Sequence, residues 1–154
     1  MPVQIEQAPF DTAESRQLIA EVCAEIDRIY DNPNGTEPAL TGTDSPKAAF
    51  LIARDSESGA AVGCVALRPS APHIGEVKRL YVRPAARGRG ISRQLMENLE
   101  RRARARGFTE IRLETGLRQP GAIHLYESLG YHRIAGYGEY KDDPENVCFA
   151  KQLD

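Results

Sequence analysis

The sequence predicts an α/β domain built in layers, and three observations carry that reading. Short runs with the alternation or apolar continuity of strands recur along the chain. Two longer segments place apolar residues at helical spacing. The two kinds of segment follow one another as strand, helix, three strands, helix, strand, helix and two closing strands. With 154 residues the chain suits one domain, residues 1–154. A domain of this size buries roughly 70% of the surface its unfolded chain exposes, enough for a true core.

Each element has its own signal. Val3 to Gln7 alternates apolar and polar residues, as a half-buried strand does. Asp11 and Thr12 offer caps for a helix whose stripe is Ile19, Val22, Cys23, Ile26 and Tyr30. Asn32 to Pro46 has the Pro, Gly, Asn and Thr of a loop, and loops this long are usually disordered or part of a binding site. Ala48 to Asp55 and Ala61 to Leu67 read as strands, with Ser56 to Gly59 turning between them. Gly75 to Val82 is a further strand in which the alternation slips. Val77 lies on one face, Leu80 and Val82 on the other. A bulge produces such a slip, and a strand buried on both faces also permits it.

Ile91, Leu95, Leu99 and Ala103 then recur every four residues, and Gly107 is placed to end that helix. Phe108 to Glu114 alternates as a strand. Pro120 to Leu129 reads as a short helix, with Pro in its first turn and Gly130 just past its end. Tyr131 to Ile134 and Val147 to Gln152 supply the closing strands.

Composition narrows the function classes. No apolar run approaches about 18 residues, so no membrane partner is expected. Met1 to Phe10 lacks the basic and apolar regions of a secretory signal. Cys23, Cys64 and Cys148 are odd in number and far apart, with Cys23 on a helical apolar stripe and Cys64 in a strand-like run, which suggests reduced structural thiols and a cytoplasmic protein. His73, His124 and His132 never fall at i, i+4 of one helix, so no metal is expected. The net charge of −2 hides a sorting of charge along the chain. Residues 1–60 carry eleven acidic and four basic side chains, whereas residues 78–106 carry ten basic and two acidic. Either the arginines are simply solvated, or they form a positive field near Arg87 that favours a polyanion.

The most informative stretch is Val77 to Leu95, V-K-R-L-Y-V-R-P-A-A-R-G-R-G-I-S-R-Q-L. A strand ends at Val82, a turn contains Arg87, Gly88, Arg89 and Gly90, and a helix begins near Ile91. Glycines let the backbone approach a ligand closely, and the first turn of a helix presents free N–H groups to phosphate. The segment lacks the Gly-Lys-Ser/Thr of an NTPase loop and the third glycine of a dinucleotide turn. It resembles the coenzyme A signature of the GNAT superfamily of N-acetyltransferases, an Arg or Gln, two residues, Gly, one residue, then Gly or Ala. Arg87 and Gly90 match that pattern, and Ser92 replaces the last small residue. A second stretch, Gln119 to Tyr131, resembles the other characteristic helix of the family, with Gln119 where Asn is more usual.

The resemblance implies a mixed, mostly antiparallel sheet of about seven strands, with a bulge and splay at the fourth. It implies acetyl-coenzyme A as cosubstrate. The backbone of Leu80, Tyr81 and Val82 would pair with the pantetheine arm. Arg87, Gly88, Arg89, Gly90, Ile91 and Ser92 would hold the pyrophosphate, with Gln119 and Ala122 contributing from the second motif. Tyr126 matches the tyrosine that protonates the leaving sulfur. A phenol of pKa near 10 gives its proton to a thiolate at a cost of only about 2 kcal/mol. Glu76 is the candidate base and Glu114 the reserve, although a carboxylate at such a position is more often a plain surface group.

The expected activity is therefore direct acetyl transfer to a primary amine, of a small molecule by preference. The acidic segments 1–60 and 139–154 favour a positively charged acceptor. The alternative is a non-catalytic acetyl-coenzyme A sensor of the same fold, against which Tyr126 and the intact R-G-R-G turn both argue. Nucleic-acid binding through Arg93 and Arg101 to Arg106 is disfavoured, because that helix carries no aromatic residue for stacking. A homodimer stays open.

Overall fold

The computed structural model describes residues 2–154. Seven strands form one sheet in the order β1-β2-β3-β4-β5-β7-β6. They are β1 (Val3–Ala8), β2 (Ala49–Asp55), β3 (Ala61–Ala71), β4 (Ile74–Val82), β5 (Glu110–Gly116), β6 (His132–Ile134) and β7 (Asn146–Gln152). All neighbours pair antiparallel except β4 and β5, which run parallel. A parallel pair needs a crossover, and α2 (Ile91–Ala105) supplies it. The mixed, mostly antiparallel sheet expected from the sequence is the sheet found.

Helix α1 (Ala13–Tyr30) covers one face and α2 the other, together with α3 (Pro120–Ser128). The apolar stripe of α1 buries Leu18, Ile19, Val22 and Cys23 against Phe50, Ile52, Cys64 and Tyr81. On the opposite face Ile91, Leu95, Met96 and Leu99 pack on Leu51, Val65, Leu67 and Leu113. Strand β2 feeds both layers, which is why its apolar residues run without the alternation of a half-solvated strand. Thr12 caps α1, its Oγ1 accepting from the Ser15 N–H at 3.1 Å.

Two strands depart from the sequence reading by more than one residue. Strand β3 runs on through Pro69 to Ala71, because the hairpin to β4 turns only at Pro72 and His73. Strand β5 begins at Glu110, since Phe108 fills the core and the Thr109 N–H is taken by the His73 carbonyl. Among the described residues no helix is long and apolar enough to cross a membrane. The three cysteines are free and buried.

Candidate active site

The site begins with a break in the sheet. Along β4, Tyr81 faces Cys64 and Lys78 faces Ala66, so Arg79 and Leu80 together stand opposite Val65. This is the bulge that the slipped alternation suggested, and Arg79 takes the left-handed φ of +58° within it. Parallel pairing of β4 with β5 ends at Val77 and Leu113. Beyond that point β5 stays on β7 as far as Gly116, while β4 stays on β3. The two strands part, and a cleft of about 1170 Å³ opens between them.

One end of the cleft is an anion cradle. Gly88 and Gly90 take φ of +80° and +74°, where side chains are strained, and a Cβ at either would meet nothing within 4 Å. The space in front of them is left for something else. Helix α2 starts directly after Gly90 with no side-chain cap, so its first N–H groups and the positive end of its dipole face the cleft. Arg93 adds charge there, its Nη2 donating to Ser128 Oγ at 2.5 Å. Arg87 is tethered, its Nε donating to the Val82 carbonyl at 2.8 Å and its Nη2 to Glu25 Oε1 at 2.5 Å.

Of the residues expected to hold coenzyme A, Leu80, Tyr81, Val82, Arg87, Gly88, Gly90, Ile91, Ser92, Gln119 and Ala122 all line this cleft. Arg89 is exposed and does not. The Tyr81 hydroxyl points to the α1 layer and donates to Glu21 Oε1 at 3.2 Å, so only its backbone is offered to a ligand. An open glycine cradle, an uncapped helix and two arginines suit a pyrophosphate, and the residues present therefore fit coenzyme A.

Tyr126 lies deep in the wall, 5% exposed, between Tyr131 and Phe149 with ring centroids at 5.9 and 6.1 Å. Burial pushes its phenol above the usual value, so it stays protonated at neutral pH. Its hydroxyl has no hydrogen-bond partner among the described residues although it borders the cleft.

The two candidate carboxylates separate. Glu76 is buried and absent from the cleft lining. Arg68 Nε donates to its Oε1 at 2.8 Å and the Tyr137 hydroxyl to its Oε2, also at 2.8 Å. Glu114 lines the cleft, and burial pushes its carboxyl upward against the pull of Lys78. Sequence reasoning placed Glu76 first because it lies nearest the coenzyme motif, and nothing local signals that Tyr137 reaches back to it. In the sequence Tyr30 reads only as the end of a helical stripe. Its hydroxyl in fact donates to Gln119 Oε1 at 3.1 Å and packs over Gly116, where a Cβ would overlap it.

Comparison with known proteins decides the family. Residues 17–131 match the model of the Acetyltransferase (GNAT) family, most of the chain. The chain belongs to the GNAT family of acetyltransferases. Among GNAT relatives, the IAA acetyltransferase of Azospirillum brasilense is 37% identical over 138 residues, 89% of each chain. A solved Klebsiella pneumoniae structure, assigned as an acyl-CoA N-acyltransferase, is 32% identical with a TM-score of 0.84, covering 99% of this chain and 98% of that one. A GNAT structure from Elizabethkingia anophelis with acetyl-CoA bound shares the fold, at 17% identity and a TM-score of 0.71 over 98% of both chains. This GNAT chain is thus an N-acetyltransferase, of a family that uses acetyl-coenzyme A.

Proposed function

We propose that the chain moves the acetyl group of acetyl-coenzyme A directly onto the primary amine of a small molecule, with no acyl-enzyme between. The observation that carries this reading is the parting of β4 from β5, which opens a cleft that Tyr126 also lines. It leaves the Lys78–Val82 edge of β4 unbonded to β5, in the cleft whose wall includes the Tyr126 phenol. A thioester between the strands would lay its pantetheine arm along Leu80, Tyr81 and Val82, with its pyrophosphate on Gly88, Gly90, Ile91 and Ser92.

The amine nitrogen attacks the thioester carbonyl carbon, a C–N bond forms, and the C–S bond breaks. A backbone N–H near Leu80 or Tyr81 polarises the carbonyl oxygen. Tyr126 gives its proton to the departing sulfur. The phenol regains one from the proton that the amine sheds, by way of water or Glu114. Taking a proton from an α-amine of pKa near 8 costs about 1.4 kcal/mol at pH 7, and from a lysine-like amine about 4.6 kcal/mol. A base is therefore useful. Glu114 is better placed than Glu76, whose oxygens already accept from Arg68 and Tyr137.

Turnover of the purified chain with acetyl-coenzyme A and a broad panel of primary amines tests this. N-acetyl product in equal amount to released thiol is the expected result. Tight acetyl-coenzyme A binding with no turnover on any amine means a sensor module instead.

A further inference from the structure

The charges lining the cleft do not balance within the protein. Arg68, Lys78 and Arg87 each meet a carboxylate: Glu76 at 2.8 Å, Glu114 at 3.5 Å and Glu25 at 2.5 Å. Among the described residues Arg79 and Arg93 meet none. Arg93 sits in the first turn of α2, so its charge belongs to the phosphate end. Arg79 sits elsewhere, on the bulge of β4. Its Nη2 donates to the carbonyl of Glu37 at 2.7 Å, in the loop between α1 and β2, and its Nε is buried with no partner among the described residues.

Two features of Arg79 point to a ligand. A buried guanidinium N–H without an acceptor is unfavourable, and such groups in native proteins generally have a reason. The backbone supplies the second. At φ +58° glycine or asparagine sits with less strain than arginine. The bulge that parts β4 from β5 needs that φ but not an arginine. The side chain is kept at the cost of strain, as residues of functional sites often are.

We infer that Arg79 binds a carboxylate on the acceptor, which makes the acceptor an amino acid or another small aminocarboxylate. The inference rests on the acetyl transfer proposed above. The planar fork of a guanidinium matches a carboxylate in both geometry and charge. The open Nη edge meets it first, and a turn of the side chain then gives Nε–H its acceptor. The same cleft carries Glu139 and Asp143, which meet no cation among the described residues, while Glu114 and Glu145 stand beside Lys78 and Arg118; the first two suit an ammonium. A zwitterion answers both sets of charges. A polyamine would bring a second cation toward Arg79, and a simple acid would face the carboxylates.

The test is discrimination between matched acceptors. Each protein amino acid and a series of linear aminoalkyl carboxylates is offered to the wild-type chain beside its own carboxamide. At least one carboxylate should be acetylated with kcat/KM ten or more times that of its carboxamide. Arg79→Asn, which accepts the left-handed backbone, should bring that ratio close to one, mainly through KM for the carboxylate. Arg79→Gly should do the same, so a folding defect peculiar to one variant cannot imitate the result. Acetyl-coenzyme A affinity by calorimetry reports that each variant is folded. A wild-type preference for carboxamides or polyamines, or acetylation of none of these carboxylates, overturns the inference. So does a ratio unchanged in both variants. Acetylation of some other amine would then leave the proposed transfer standing, whereas failure to bind acetyl-coenzyme A would remove that reading itself.

Discussion

Lys78 Nζ stands 3.5 Å from Glu114 Oε2, so a cation and a carboxylate face each other where β4 and β5 part. The pair sits just past the last paired residues of β4 and β5, and burial has raised the Glu114 carboxyl above its ordinary value. A carboxyl raised in this way holds its proton to higher pH when folded than when unfolded. Its contribution to stability is full below the unfolded value and is lost as pH rises through the folded one. Ionised Glu114 is therefore the less comfortable form, which is what a base requires.

From this follows a pH profile. Loss of the neutral amine alone lowers kcat/KM tenfold per unit as pH falls. If Glu114 is the base, the slope steepens to about a hundredfold per unit below its midpoint, which lies above 4.5. Glu114→Gln should restore the single slope. Glu76→Gln should keep the steeper one while lowering Tm, because a buried carboxylate held by Arg68 and Tyr137 is lost.

Tyr126→Phe keeps the ring between Tyr131 and Phe149 and removes only the hydroxyl. The expected loss in kcat is about 10²-fold, with acetyl-coenzyme A affinity held. Wild-type turnover under conditions where chemistry limits the rate would make this tyrosine a packing residue.

Gly90 and Gly107 give a matched pair. Both have positive φ, +74° and +86°, and a Cβ at either meets nothing within 4 Å. Valine at each carries the same kind of backbone strain, of about 1–2 kcal/mol or more. Only Gly90 lies in the cradle. Both variants should melt several degrees lower, but only Gly90→Val should raise the Kd for acetyl-coenzyme A by more than tenfold, as calorimetry would show.

Gly116 and Tyr30 should behave as a coupled pair. Gly116→Ala forces the Tyr30 ring away and breaks its hydrogen bond to Gln119. Adding Tyr30→Ala removes the overlap, so the double variant should cost less than the sum of the singles by at least about 0.5 kcal/mol in urea unfolding.

How much of this was legible in the sequence depends on the range of the signal. The change of face between Val77 and Leu80 is local, so the bulge could be read from it. The R-G-R-G turn is local as well, and its glycines take the expected positive φ. The left-handed backbone of Arg79 could not be read, because the residue there is not the glycine or asparagine that would announce it. Nor could the sorting of Glu76 from Glu114. Both lie within neighbouring strands beside an apolar residue, and only the chain closing through Tyr137 decides which is covered. Tyr30 over Gly116 joins residues 86 apart in sequence, and no periodicity reports such a contact.

Mass spectrometry of a single turnover, with enzyme in excess over acetyl-coenzyme A, bears on the whole reading at once. Without acceptor, acetyl-coenzyme A should stay intact and the chain unmodified. On adding an acceptor amine, free thiol and N-acetyl product should appear together and in equal amounts, about 10²-fold more slowly in Tyr126→Phe. An acetylated chain that forms before the acceptor is added, and then passes its acetyl group on, would contradict direct transfer in this cleft.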